Sequence, residues 1–399
     1  MKIGILREYK SPEDIRVALS PEQCRNLLDT HKDLEIVVEP YVKRCYSDAE
    51  YEAKGIQLAN DLSDCDVLIG VKEVPKERLI EGKIYFFFSH TIKMQDYNLQ
   101  LMKQLLVRNI SMIDHETLAL NGQRIIGFGR WAGIVGAHYA LLMMGKKWNH
   151  YDIKPANACR DMDEMLAQYK GLSFPKVKIA LTGSGRVGKG ALEVLESAGI
   201  RQVSAESYLT ETFDEAVFTV LDTPHLYHNA DGSPVVPAEF YENPESAVNG
   251  FTAFSKVTDV LIHGIYWDYR ATALFSNEEI ADDSFKVSVI SDITCDVEGS
   301  IPITLRQTAI EDPYIGINKK SGAEVSPFGD NTIDVMAVGN LPNELPRNAS
   351  DDFGSTMMNQ VVPELFNFES SELLQSAMIC HEGKLMPNFA YLKDWPELF

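Results

Sequence analysis

Lys176-Val177-Lys178-Ile179-Ala180-Leu181-Thr182-Gly183-Ser184-Gly185-Arg186-Val187-Gly188 is the stretch on which the fold turns. Its first half reads as a short apolar strand, and the glycines after it are spaced G-x-G-x-x-G ahead of a helix-like run over residues 190–198. The first glycine permits a tight turn, the second lets backbone N–H groups approach a pyrophosphate, and the third lets helix pack on strand. The N-terminus of the helix adds partial positive charge. Gly183, Ser184, Gly185, Arg186, Val187 and Gly188 are therefore expected to form a dinucleotide turn. An ordinary flexible turn would require neither the flanking strand nor the helix. Glu206 stands about 20 residues further on, where an acidic side chain receives the adenine ribose hydroxyls. Its charge would repel a 2′-phosphate, which points to NAD while leaving NADP open; the competing reading is a solvated glutamate at a strand end.

Working outward, strand-like runs at residues 2–6, 35–38, 67–71 and 84–88 alternate with helix-like stretches, the pattern of a parallel sheet covered by helices. Ser20-Pro21-Glu22-Gln23 reads as a helix start, with the helix continuing through Leu28. Polar residues and prolines accumulate over 149–171, and a second βα series opens at residues 177–181 and continues at 260–265 and 287–290. The intervening 221–251, rich in Pro, His, Asn and Gly, reads as an excursion. A further helical pattern lies at 361–366. With 399 residues the chain exceeds what one core usually holds. The expected class is α/β, with two Rossmann-like domains built on parallel twisted sheets.

The composition, 45% hydrophobic and 24% charged, suits a globular protein with sizeable cores. A net charge of -21 and a pI near 4.8 exclude nucleic acid and anionic lipid as expected partners, since both attract basic surfaces. Residues 1–6 enter a strand-like run without the pattern of a signal peptide, and no apolar run approaches the ~18 residues of a membrane helix. A soluble, cytoplasmic protein is expected. The six cysteines lie far apart without a C-x-x-C pair, so neither a metal site nor a disulfide framework is indicated.

Lys72 and His90 each follow a strand-like run, and the C-terminal ends of such strands are where open α/β sheets bind ligands. A partly desolvated lysine has its pKa lowered and can serve as a general base. A histidine beside it exchanges protons at the same pH. Taken singly, each also reads as a surface lysine or a structural histidine.

Three segments carry a resemblance: Asp14-Ile15-Arg16-Val17-Ala18-Leu19-Ser20-Pro21, Gly70-Val71-Lys72-Glu73-Val74-Pro75 and Phe88-Ser89-His90-Thr91. In order and spacing they resemble the alanine dehydrogenase/pyridine nucleotide transhydrogenase superfamily, which includes the saccharopine dehydrogenases. Ile113-Asp114-His115-Glu116, Arg124-Ile125-Ile126-Gly127-Phe128-Gly129 and Gly264-Ile265-Tyr266-Trp267 are more similar to the saccharopine branch. The run from Asp292 to Ile301, with Asn340-Leu341-Pro342 and Leu345-Pro346-Arg347, resembles lysine-ketoglutarate reductase.

The resemblance implies a substrate domain over residues 1–132 and 342–399, a dinucleotide domain over 133–341, and an active site in the cleft between them. It implies reversible, dinucleotide-dependent interconversion of saccharopine with lysine and 2-oxoglutarate, small amino-acid and 2-oxo-acid substrates. Lys72 and His90 match the acid–base pair. Arg16 and Arg124 match positions that hold substrate carboxylates, and Phe128 lies in the same substrate motif. Glu73 and Glu116 match acidic positions that tune the pair or meet the lysine ammonium. Ile265, Tyr266, Asp292, Asn340 and Leu341 match stretches beside the nicotinamide. Arg130, Trp131 and the long excursion depart from the pattern. Two other functions compete: oxidative deamination of a small amino acid such as alanine, and dinucleotide sensing without catalysis. The sequence does not give the oligomeric state.

Overall fold

The structure is a computed structural model that describes residues 1–398. The chain divides into a first unit, Met1–Phe128 with Pro346–Phe399, and a second unit, Gly129–Leu345.

Across the sheet of the first unit the strands run Gln57–Leu58, Glu35–Val38, Lys2–Ile5, Val67–Lys72, Ile84–Phe88, Ser111–Asp114, Met378–His381 and Lys384–Leu385. Among the described residues the first six are parallel, as expected of an α/β sheet, and the last two add an antiparallel edge. The antiparallel pair is contributed by the C-terminal segment, which covers the free edge of Ser111–Asp114. Strands buried on both faces need apolar residues throughout. Ile3, Ile69, Phe86 and Phe88 enter one core together with Cys24 and Leu27 of the helix Pro21–Thr30. Leu68, Tyr85 and Phe87 enter the other, with Leu101, Met102 and Leu105 of the helix Leu99–Val107. The helix expected at 361–366 is not α-helical: a π turn, Met357–Val361, runs into the 3-10 segment Val362–Ser370. Pro363 has no N–H to donate and its ring crowds the preceding turn, so a regular ladder cannot pass through it.

The second unit repeats the plan with Arg201–Gln202, Val217–Leu221, Lys178–Thr182, Val260–His263, Val289–Asp292 and Thr332–Met336 in parallel, followed by Tyr314–Asn318 and Glu324–Val325 antiparallel. The excursion at 221–251 folds as two short helices, Thr223–Leu226 and Pro237–Glu242, and a small pairing of Tyr227–His228 with Val248–Asn249. The helices Gly129–Lys147 and Arg186–Ser197 cross backbone to backbone. A Cβ on Gly133 would lie 1.9 Å from the Val187 carbonyl oxygen, and one on Gly190 2.0 Å from that of Arg130. Among the described residues no helix is long and apolar enough to cross a membrane.

The glycine turn shows two opposite tolerances. A Cβ on Gly188 would stand 1.9 Å from the Gly183 carbonyl oxygen, whereas one on Gly185 would meet nothing within 4 Å. Gly188→Ala is therefore expected to cost about 1–3 kcal/mol, the range for overpacking. Gly185→Ala should stay within about 0.5 kcal/mol of the parent protein. Thermal or denaturant unfolding of the two variants checks this, and equal stabilities would contradict the packing assigned to Gly188.

Candidate active site

In the first unit the chain leaves Lys2–Ile5 toward one side of the sheet and returns to the other, which puts a crevice at the carboxyl ends of Lys2–Ile5 and Val67–Lys72. Lys72 closes the second of these strands. Pairing with Ile84–Phe88 joins Ile69 to Phe86 but Lys72 to Phe88, so Gly70 and Val71 together face Phe87 in a bulge. The buried carboxylate of Glu8 accepts the N–H groups of Val71 and Lys72, both at 2.7 Å. On the other side of the bulge the Nε2–H of His115 donates to Gly70 O at 2.8 Å. The His115 ring is completely buried against Phe88 and Phe353. Burial lowers its pKa to about 4, so the ring is neutral.

Burial also pushes the Lys72 ammonium down to about 8, helped by the positive charges of Arg16 and Lys10 and opposed by Asp14 and Glu8. Arg16 is 1% exposed. Its Nε and Nη2 donate to the two Asp14 oxygens at 2.9 and 2.5 Å, and its guanidinium lies 4.0 Å over the Phe128 ring. Burial alone would raise the Asp14 carboxyl, but Arg16 outweighs it and holds that group well below the usual carboxylate range. Glu8 has no such partner, and desolvation followed by the Asp14 charge raises it.

His90 follows the next strand in a left-handed conformation, φ 55°, with its ring stacked on Phe88. Its Nδ1 meets Glu116 Oε2 at 3.0 Å. Glu116 also faces Lys93 Nζ at 3.3 Å and Arg124 Nη1 at 3.8 Å. The hydrogen bond from His90, then the cations, bring the Glu116 carboxyl down to about 2 against its partial burial. Arg124 is held by Nε–H donation to Ile126 O at 2.7 Å and lies over the Phe88 ring, its side chain 37% exposed.

Lys72, His90, Glu116, Arg124 and Phe128 are thus gathered around Phe88. Two of the expected residues are paired within the protein. Arg16, assigned to a substrate carboxylate, has both of those donor groups on Asp14 inside the core and acts as a buried cation beside Lys72. Glu73, assigned to tuning the pair, is turned to Lys10 at 2.9 Å. Glu8 and His115 are not legible as site residues from the sequence: His115 lies within Ile113-Asp114-His115-Glu116 without a mark of its own, and nothing in the sequence marks Glu8.

In the second unit Gly183 has φ 89°, which only glycine adopts without strain, and Gly185 opens the helix Arg186–Ser197 with free space over its Cα. That cradle fits a pyrophosphate, with exposed Ser184 and Arg186 beside it and half-buried Val187 beneath. Glu206 does not follow the strand beside this turn. The strand beside Lys178–Thr182 is Val217–Leu221, because the two-residue Arg201–Gln202 pairs outside it. Glu206 therefore sits exposed on the helix Ala205–Thr210. The acid at the end of the adjacent strand is Asp222, which accepts Ser184 N–H at 2.8 Å. Asp292 is completely buried, its carboxylate accepting from Thr294 Oγ1 and Thr304 Oγ1 at 2.6 Å, and it anchors its own loop instead of facing outward. Ile265 packs on Gly183, and Tyr266 is 70% exposed. Asn340 precedes the 3-10 turn Leu341–Glu344, whose Leu341 is buried. Among the described residues no group of three or more His, Cys, Asp or Glu side chains is placed to hold a metal ion.

A lysine whose pKa falls from 10.5 to about 8 on folding destabilises the folded state wherever it is charged. The penalty is complete below pH 8 and disappears as pH rises to 10.5. Lys72→Met should therefore raise the unfolding temperature at pH 7, and the gain should shrink through that window. Melting curves at pH 7 and pH 10.5 check it; a loss of stability at pH 7 would contradict it.

Residues 4–135 match the family described as Alanine dehydrogenase/PNT, N-terminal domain. The chain is similar to alpha-aminoadipic semialdehyde synthase of Arabidopsis thaliana, 28% identical over 98% of this chain and 41% of that protein. The mitochondrial protein of the same description from Rattus norvegicus is 27% identical over 99% of this chain and 48% of its own. The chain thus spans less than half the length of these relatives. Saccharopine dehydrogenase (NAD(+), L-lysine-forming) of Emericella nidulans is 24% identical over 92% of both chains. Among solved structures, an L-alanine dehydrogenase shares the fold with a TM-score of 0.68 at 18% identity over 100% of both chains. The transhydrogenase from Sinorhizobium meliloti does so with 0.61 at 16% identity, over 96% of this chain and 98% of that one. The chain is thus similar to the alanine dehydrogenase/PNT family over residues 4–135, and over most of its length to alpha-aminoadipic semialdehyde synthases and saccharopine dehydrogenases.

Proposed function

We propose that this chain is a nicotinamide-dinucleotide-dependent oxidoreductase acting on the CH–NH group of an amino acid, and that it interconverts saccharopine with lysine and 2-oxoglutarate. The observation that carries the reading is Lys72, an ammonium drawn down to about 8 by burial, on the same sheet edge as the His90–Glu116 pair. A bound nicotinamide supplies the hydride acceptor. Lys72, neutral in an appreciable fraction near pH 7 to 8, takes the proton of the secondary amine as the C–H bond breaks. His90, oriented through Nδ1 by Glu116, presents Nε2 to the water that attacks the resulting imine. Collapse of the carbinolamine needs further proton transfers, which the same pair serves. Arg124, partly exposed and stacked on Phe88, brings a positive charge to a substrate carboxylate. The L-lysine-forming relative of Emericella nidulans supports the choice of substrate.

The test is absorbance at the nicotinamide band with saccharopine, and separately with alanine. Turnover of saccharopine should fall by about 10²–10⁴-fold in Lys72→Met, the usual worth of general acid–base catalysis, with dinucleotide binding unchanged. Activity on alanine alone, or a Lys72→Met variant within about twofold of the parent, would defeat the reading.

Asp222 supports NAD as the cofactor in the place first assigned to Glu206. At the end of the strand next to the glycine turn, a carboxylate accepts ribose hydroxyls and repels a 2′-phosphate. Asp222→Ala should narrow the preference for NAD over NADP, read as the ratio of kcat/KM values, while Glu206→Ala leaves it unchanged. A parent protein that prefers NADP would overturn the assignment.

A further inference from the structure

We propose that Glu8 and His115 are positioning residues for Lys72, holding the two-residue bulge that turns its side chain onto the face of the sheet where it works; this rests on the reading of Lys72 as the base. Side chains alternate along a strand, so a one-residue slip of register exchanges the faces. Leu68 pairs with Tyr85, and both pack in one core. Ile69 pairs with Phe86, and both pack in the other. Unbroken alternation would put Lys72 on the face of Leu68 and pair Val71 with Phe88. The bulge takes up one residue, and Lys72 pairs with Phe88 instead. Val71 already packs in the core of Ile69 and Phe88, and the pairing with Phe88 together with the charges of Arg16 and Asp14 beside it assigns Lys72 to that same face, where Phe128 packs with Arg16 over its ring.

A bulge disrupts the hydrogen-bond ladder, and in a buried place the groups it displaces cost about 1–3 kcal/mol each if left unmade. Here side chains satisfy them. Glu8 gives one carboxylate oxygen to Val71 N–H and the other to Lys72 N–H, and His115 donates to Gly70 O. The two props come from different elements, the segment after Lys2–Ile5 and the end of Ser111–Asp114, and grip three successive residues. Packing alone would not choose them. Nδ1 of His115 is buried without a hydrogen-bond partner, and a phenylalanine would fill the same space between Phe88 and Phe353 without that loss.

His115→Phe removes the donor, keeps the aromatic packing and changes no charge, because the histidine is neutral. The titratable groups facing Lys72, namely Glu8, Lys10, Asp14 and Arg16, remain. Glu8→Gln keeps the size and replaces one acceptor oxygen by an N–H donor. Each variant should lower kcat by about 10²-fold, the scale of a misplaced catalytic group, and leave dinucleotide affinity unchanged. In a Lys72→Met background neither should slow turnover further. Independently of turnover, the pH midpoint for acetylation of Lys72 by acetic anhydride, followed by peptide mass spectrometry, should rise in His115→Phe as the ammonium regains water. Half-buried Lys147, paired with Asp334 in the other unit, serves as a control whose extent of acetylation should not change. If Glu8→Gln does not fold, His115→Phe carries the test alone. An unchanged Lys72 midpoint in His115→Phe, or an equal slowing with and without Lys72, would overturn the proposal. Wild-type turnover in Lys72→Met would instead sink the reading of Lys72 as the base, and the acetylation midpoint would still decide whether the props position it.

Discussion

A primary ammonium taken out of water is the costly element of this structure, and much of the first unit is arranged around it. Lys72 ends a strand whose neighbours are almost wholly apolar, so desolvation dominates its ionisation. The nearby charges do not neutralise it by direct pairing. Arg16 is tied to Asp14, Glu8 is occupied with backbone N–H groups, and Glu73 is turned to Lys10. A lysine on an exposed strand end, or one in a tight ion pair, would stay protonated and could not accept a proton near neutrality. The arrangement costs stability at pH 7 and yields a base there, a compromise common at catalytic sites.

The second unit obeys a different constraint, close backbone approach. Gly188 and Gly183 touch carbonyl to Cα, Gly133 and Gly190 bring two helices into backbone contact, and Gly185 keeps one face of the turn clear. These contacts fix the helix Arg186–Ser197 against the strand Lys178–Thr182, so the helix N-terminus and the Ser184–Asp222 hydrogen bond are set before any ligand arrives. Preorganisation of this kind reduces the ordering cost of binding.

How much the sequence reveals follows from whether a feature is local. The glycine turn is legible because each glycine answers a steric demand within six residues. Lys72 and His90 are legible because an apolar run marks the strand that precedes each of them. The spacing rule that singles out Glu206 assumes that the second strand lies beside the first. Strand order is a long-range property, and here Arg201–Gln202 lies outside Val217–Leu221. The bulge is equally hidden, since Gly70 and Val71 are irregular only in relation to Phe87 on another strand. Glu8 reaches across 63 positions to Val71, and His115 across 45 to Gly70, with no periodicity to announce either. The antiparallel edge formed by Met378–His381 has the same character. Pro363, by contrast, stood in plain view inside the run that was expected to be helical.

The most direct measurement is the ionisation of Lys72 itself in the wild-type protein. Lysine side chains labelled with ¹³C at Cε can be followed by NMR as the pH is raised, with Lys72→Arg identifying the signal. The burial of Lys72 predicts a midpoint near 8. A Lys72 signal that titrates at the ordinary value of 10.5 would mean that the ammonium is solvated, and the account of this site would fail.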